Sequence, residues 1–218
     1  MKAGDILAIF YLPPRQQRIY VLLTELAGTI CEASLSLEKY ITDQILSDRH
    51  LDSLRAVKRR GDKNMDLVWK ETIRQFVLPF DPEDIIALAY RLHLSLEMIT
   101  LIGGKTYLYQ AFIREEKELM SIIIVLEKAV GEIYQLVSSL HRIKARRRQM
   151  GNKCAMIKAY RDQGQLNYLQ GTADLYRQKN LPPLQVMVQL EIYRAARESL
   201  DCCHDVSLVI REMLIKYV

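Results

Sequence analysis

Lys58 and Asp62 stand four residues apart, and so do His93 and Glu97, in stretches whose apolar residues recur at helical spacing. Side chains at that separation share one helix face. If the two stretches are antiparallel neighbours, Asp62, His93 and Glu97 converge, and two carboxylates with an imidazole can hold a metal. The competing reading is a salt-bridge cluster in which Lys58 neutralises Glu97 or Asp62. It leads, because an ammonium is a poor neighbour for a cation. A second set lies further on: Gln170 and Asp174, then Asp201 and Asp205, again at spacings of four. Three carboxylates and an amide oxygen are hard donors suited to magnesium, manganese or iron. They can equally form a solvated polar face with no metal. If metal binds anywhere, this second set is the better candidate, since no cation stands at its motif positions, although Arg177 can compete for Asp174.

A third feature is a run of positive charge, Arg142, Lys144, Arg146, Arg147, Arg148 and Lys153. It is dense enough to meet an acidic partner or anionic lipid headgroups rather than water alone. Aromatic residues do not alternate with these charges, so nucleic acid is not expected. Asp201-Cys-Cys-His-Asp205 contains zinc-type residues, but adjacent cysteines on a helix point about 100° apart. Cys203 falls with Ile192, Ala196 and Ile210 and reads as core filling. The chain has no phosphate-binding Gly-x-x-x-x-Gly-Lys loop, no nucleophile elbow and no Glu-x-x-His pair of the di-iron kind.

These residues have to be positioned by helices. Half of the 218 residues are hydrophobic and 26% are charged, a globular composition, while 9 Gly and 6 Pro are too few for an all-β fold. The formal charge of +5 permits an acidic or anionic partner without requiring one. Four cysteines without paired spacing read as reduced thiols of a cytoplasmic protein. The apolar run Ile6 to Leu12 is interrupted upstream by Asp5 and followed by prolines, unlike a signal peptide. Ile122 to Leu126 is too short to span a bilayer.

Helical periodicity predicts six helices and no sheet: about Arg15–Leu46, His50–Phe76, Asp81–Gly104, Lys105–Arg147, Cys154–Gln178, and one from Leu181 to the C-terminus. The sharpest punctuation is Phe76-Val-Leu-Pro-Phe-Asp-Pro-Glu-Asp84. Leu78-Pro79 ends one helix, Asp81 takes an N-cap position, Pro82 opens the next helix, and Glu83 and Asp84 occupy its first turn. Gly103-Gly104 reads as that helix's end. Leu181-Pro182-Pro183 makes a similar corner. Three helices followed by three helices, each set with a proline corner before its third member, divide an all-α chain into units 1–104 and 105–218.

The corner from Phe76 to Ile85, with Ala87-Leu88-Ala89 after it, is similar to that of PhoU-related proteins encoded beside Pit-type phosphate permeases. The resemblance continues at Leu12-Pro13, Leu166–Leu169 and Ala173–Arg177, and in the ending from Asp201 to Lys216. It implies two PhoU-like three-helix repeats and a non-enzymatic, cytoplasmic accessory of phosphate transport. The partner expected for such a role is a Pit-type permease, with peripheral contact at the inner face of an anionic membrane and a homo-oligomer as further candidates. It also implies metal clusters on paired Glu/Asp-x-x-x-Asp motifs. Here Lys58 and Gln170 stand where the glutamates of those motifs belong. Two other readings remain: a helical scaffold with vestigial sites, and a metal-dependent phosphate-handling enzyme with His93 as its base.

Overall fold

The computed structural model describes residues 14–42, 47–112 and 117–218. Among them are six α-helices and no strand: α1 (Pro14–Thr42), α2 (Asp48–Arg74), α3 (Pro82–Leu108), α4 (Lys117–Ser138), α5 (Arg147–Arg177) and α6 (Pro183–Lys216). Single 3-10 turns follow α3 (Gln110–Phe112) and α4 (Leu140–Arg142). The Ile6–Leu12 run, Leu12-Pro13 and the predicted last turn of the first helix lie outside the described residues.

Each helix forms where an apolar stripe recurs every three to four residues. In α1, Ile19, Leu22, Leu23, Leu26, Ile30, Ala33 and Leu37 are all fully buried. In α3 the same holds for Ile85, Ala89, Leu92, Leu96 and Ile99. These two helices and α4 and α6 form the centre of the molecule: α1 packs on α4, and α3 on α6. α2 lies outside against α1 and α3, and α5 outside against α4 and α6. Their burial is correspondingly narrow, Leu54, Val57, Gly61, Met65, Val68 and Thr72 in α2 and Met150, Cys154, Ile157, Gly164, Gly171 and Leu175 in α5. One continuous apolar cluster runs through both sets of three.

Position in this layout explains a hydropathy feature absent from the periodicity reading. The stretches Gln17–Thr42 and Pro82–Leu108 are long and apolar enough to cross a membrane by composition. Each is wrapped by three neighbours in the bundle, which accounts for its apolarity without a bilayer.

The first proline corner forms as its residues dictate. Pro82 is the first residue of α3, and the Asp81 carbonyl accepts the N–H of Asp84 and Ile85 at 3.1 and 3.2 Å. Asp81 does not cap α3 through its side chain, which pairs instead with Lys216 at 2.6 Å. Other boundaries differ from expectation. α3 passes through Gly103-Gly104 to Leu108, so a division after residue 104 falls inside it. Gly103 is there for close approach: a β-carbon would come within 2.4 Å of Leu54 Cδ1. Of the expected fourth helix, the first residues to Leu108 belong to α3, α4 spans Lys117–Ser138, the 139–146 segment follows it, and α5 starts at Arg147 rather than Cys154. The second break is the 3-10 turn at Leu140–Arg142, where the Arg142 N–H donates to the Ser139 carbonyl at 2.9 Å. Trp69 and Ile73 continue the stripe of α2 in sequence yet are exposed, because the buried face at this end runs through Val68 and Thr72, one position earlier in each case.

Candidate functional site

The first set comes together as an ion cluster. Lys58 Nζ lies 3.1 Å from Asp62 Oδ1 and 3.2 Å from Glu97 Oε1, and His93 Nε2 is 2.7 Å from the same Asp62 oxygen. Lys58 thus ties α2 to α3. Partial burial works against the charge on Asp62, but hydrogen bonds from His93 and Lys58 outweigh it and hold the carboxyl below its usual range. For Lys58, too, burial opposes the charge, and the two carboxylates prevail and raise its pKa.

The second set is dispersed. Asp174 Oδ1 accepts from Arg177 Nη1 at 2.8 Å and Asp174 Oδ2 from Gln170 Nε2 at 2.9 Å, all three residues belonging to α5. Asp201 lies elsewhere, between Arg161 Nε at 2.8 Å and Arg197 Nη1 at 2.7 Å. Asp205 accepts from Arg91 Nη1 of α3 at 3.1 Å. Register is the reason. Gly164 faces Leu200, whose Cδ1 would be 2.1 Å from an added β-carbon, so α5 and α6 are closest there. Asp174 is ten residues beyond Gly164. At 1.5 Å per residue it stands about 15 Å further along α5, opposite the earlier part of α6 and away from Asp201.

The register reveals an equivalence that differs from the motif correspondence. Gly61 faces Leu96 as Gly164 faces Leu200, with β-carbon approaches of 2.0 and 2.1 Å. Three residues before each glycine stands a cation, Lys58 or Arg161, and directly after each leucine a carboxylate, Glu97 or Asp201. Lys58 bridges to Glu97 and Arg161 to Asp201. The counterpart of the Lys58 cluster is therefore Arg161–Asp201–Arg197. Gln170 and Asp174 have no part in it. Sequence reading passed over Arg161 and Arg197. The spacing of four between Arg197 and Asp201, and the repeated cation-x-x-Gly pattern, were the available signals.

A resident metal does not fit these residues. Lys58 occupies the point between Asp62 and Glu97, and Arg161 and Arg197 bracket Asp201. Among the described residues no three His, Cys, Asp or Glu side chains come together as a set able to hold a metal ion. Positive charge near the second cluster also registers on His204, whose pKa is lowered by burial and then by Arg161.

The basic run divides by contact. Lys144, Arg147 and Arg148 are exposed, and Arg142 and Arg146 are half-buried. Arg146 Nη1 donates to Ser139 Oγ at 3.2 Å. Lys153 belongs to the bundle instead, 2.6 Å from both Glu132 Oε2 and Gln135 Oε1. Beside the run, a cleft of about 620 Å³ is lined by Tyr20, Phe80, His141, Arg142, Lys144 and Tyr217, among others. It joins the α4–α5 connection to the proline corner and the end of α6.

No family model matches the sequence. A curated relative, the UPF0111 protein YkaA of Bacillus subtilis, is 23% identical over 217 residues, covering 93% of this chain and 97% of that protein. Two crystal structures from Shewanella oneidensis share the fold. One, a PhoU-like protein, gives a TM-score of 0.77 at 16% identity, covering 90% of this chain and 96% of its own. The other, a proposed PhoU-like phosphate regulatory protein, gives 0.76 at 15% identity, with 91% and 99% covered. The six-helix architecture described above is the PhoU-like fold.

Proposed function

From the PhoU-like fold as premise, we propose that the protein is a non-enzymatic accessory regulator of inorganic phosphate transport, working at the cytoplasmic face of the membrane on a Pit-type permease. The observation that supports this most is the end-to-end likeness to the two solved PhoU-like chains, which leaves almost none of either unmatched. The side chains on hand for catalysis agree with a binding role. Burial pushes the thiols of Cys31, Cys154 and Cys202 up to about 11, far from a reactive thiolate. His93 Nε2 bonds to Asp62, which Lys58 also holds. Regulation by such a protein requires unequal binding to two states of the permease, since only differential affinity shifts a population.

The test is phosphate uptake in cells lacking the protein, together with recovery of membrane proteins on the tagged chain. A change in uptake of severalfold and co-recovery of a multi-span phosphate permease are expected. Unaltered uptake with no permease recovered would overturn the reading.

A further inference from the structure

One end of the bundle carries both arginines that make no described ion pair and uncovered apolar side chains, while of the acids at that end Asp81 and Asp84 pair with Lys216 and Glu83 is exposed. Because the helices alternate in direction, the α2–α3 corner, the α4–α5 connection and the last turn of α6 all lie at that end. Arg147, Arg148 and Arg211 line a shallow cavity of about 460 Å³ there, with Asn152 and Ile215 among the other walls and no acidic residue. None of the three arginines, nor the exposed Lys144 nearby, makes an ion pair with a described carboxylate. Two of these arginines stand in the first turn of α5, which has no acid to balance them. A helix N-terminus is itself positive. Charges of one sign have thus been gathered where the fold alone would favour the other.

The apolar part is equally unaccounted for by the fold. Phe76 at the corner is fully exposed, with Val77 at 66%, Ile73 at 76% and Ile215 at 78%. The tip is braced from behind, since Phe80 is buried with its ring 5.8 Å from Tyr20 and 5.0 Å from Tyr217. Ile73, Phe76 and Val77 come from the end of α2 and the corner after it, and Ile215, from the last turn of α6, lines the basic cavity itself. Separate apolar points at an end that also carries basic residues suit a fluid headgroup layer better than the continuous apolar centre of a protein interface.

We propose that this end seats on an anionic phospholipid bilayer. Arg147, Arg148 and Arg211 hold lipid phosphates, and the Phe76–Val77 tip enters at headgroup depth. The inference stands independently of the transport reading, because it concerns lipid alone.

Sedimentation of the purified full chain with vesicles tests it, without any permease present. Binding is expected to vesicles of phosphatidylglycerol and phosphatidylethanolamine, not to phosphatidylcholine, and to weaken with salt. Arg147→Glu with Arg148→Glu should weaken it about tenfold or more. Phe76→Ser with Val77→Ser should weaken it by a similar factor while leaving the salt dependence in place. All four positions are exposed, and an unchanged thermal transition verifies folding of each variant. Absence of binding to anionic vesicles at low salt, or unchanged binding by the arginine variant, would overturn the proposal. Complete competition by millimolar inorganic phosphate would overturn it too, making the arginines a site for the free ion. So would binding that emerges only after residues 1–13 are removed, since the chain's own leading segment would then be the occupant.

Discussion

The hydroxyl of Tyr217 accepts the backbone N–H of Asp81 at 2.8 Å, joining residues 136 apart in sequence. The same hydroxyl donates to Asp84, and Lys216 adds ion pairs to Asp81 at 2.6 Å and Asp84 at 2.8 Å. The last turn of α6 thereby fastens the corner that opens α3. Tyr217→Phe keeps the ring against Phe80 but removes both hydrogen bonds. It should destabilise the protein by about 1–2 kcal/mol in urea titration, with the denaturant slope unchanged. An unchanged midpoint would mean that the hydroxyl adds nothing to the corner's stability.

Gly61 and Gly131 are both within helices, yet an alanine should act with opposite sign at the two. A β-carbon at Gly61 would meet Leu96 Cδ2 at 2.0 Å, and Leu96 is fully buried, whereas Gly131 has nothing within 4 Å. Gly131→Ala should stabilise by up to about 1 kcal/mol through helix propensity. Gly61→Ala should destabilise by about 1–2 kcal/mol as the α2–α3 contact is forced apart. Thermal melts of the two variants that moved in the same direction would show that close approach does not govern Gly61.

Asp62 supplies the acid-side dependence. Its folded-state pKa is lowered below the usual 3.8, so its stabilising contribution is present above that value and fades as pH falls through the folded-state value. The side chain is 44% exposed, and water screens the pairing to about 1 kcal/mol or less. Wild type should exceed Asp62→Asn by that amount at neutral pH, and the two should converge in strong acid. A difference that grows on acidification would reverse the assignment.

Lys58 provides a test of the metal question that needs no activity. With its ammonium between Asp62 and Glu97, manganese should leave the melting temperature of the wild type unchanged. A ligand that binds the folded state raises stability with concentration, so a concentration-dependent rise in the wild type would return Asp62, His93 and Glu97 to the role of ligands. The same titration on Lys58→Gln separates displacement of the ammonium from binding elsewhere.

The cysteines set the alkaline limit. Burial raises the Cys31, Cys154 and Cys202 thiols to about 11 from 9.0, the neighbouring acids Glu32 and then Asp205 and Asp201 adding to the effect at Cys31 and Cys202. Groups with a raised folded-state pKa stabilise fully below 9.0 and lose that contribution as pH rises toward 11. The melting temperature should therefore decline over that window. At neutral pH alkylation of the native protein should be slow and become rapid for all four cysteines on denaturation. Fast native labelling would show that the thiols are not held in their protonated form.

The helices were legible because their apolar residues follow one period over many turns, as in α1 and α3. The corner at Asp81 was legible because Leu78-Pro79 and Pro82 restrict the backbone locally. Glycine was harder to read. At Gly103 the same residue that can end a helix permits a neighbouring leucine to come close, and only the packing decides between them. The Lys58 cluster could be assembled from two spacings across one corner. Its counterpart could not, because which turn of α5 meets Asp201 is fixed by the Gly164–Leu200 contact between helices. Asp174 resembles a partner in sequence but is placed about 15 Å along the helix axis from that contact.

The central packing has one more consequence. α1 meets α4 and α3 meets α6, so each inner helix lies against its own counterpart from the other half. That is the arrangement of an isologous interface, where two identical subunits meet across a two-fold axis. Here the two facing sets of three helices belong to one chain, so the two sides need not be identical. Lys58 with Glu97 on one side and Arg161 with Asp201 on the other are what that freedom leaves: one interaction kept in place, written with different residues in each half.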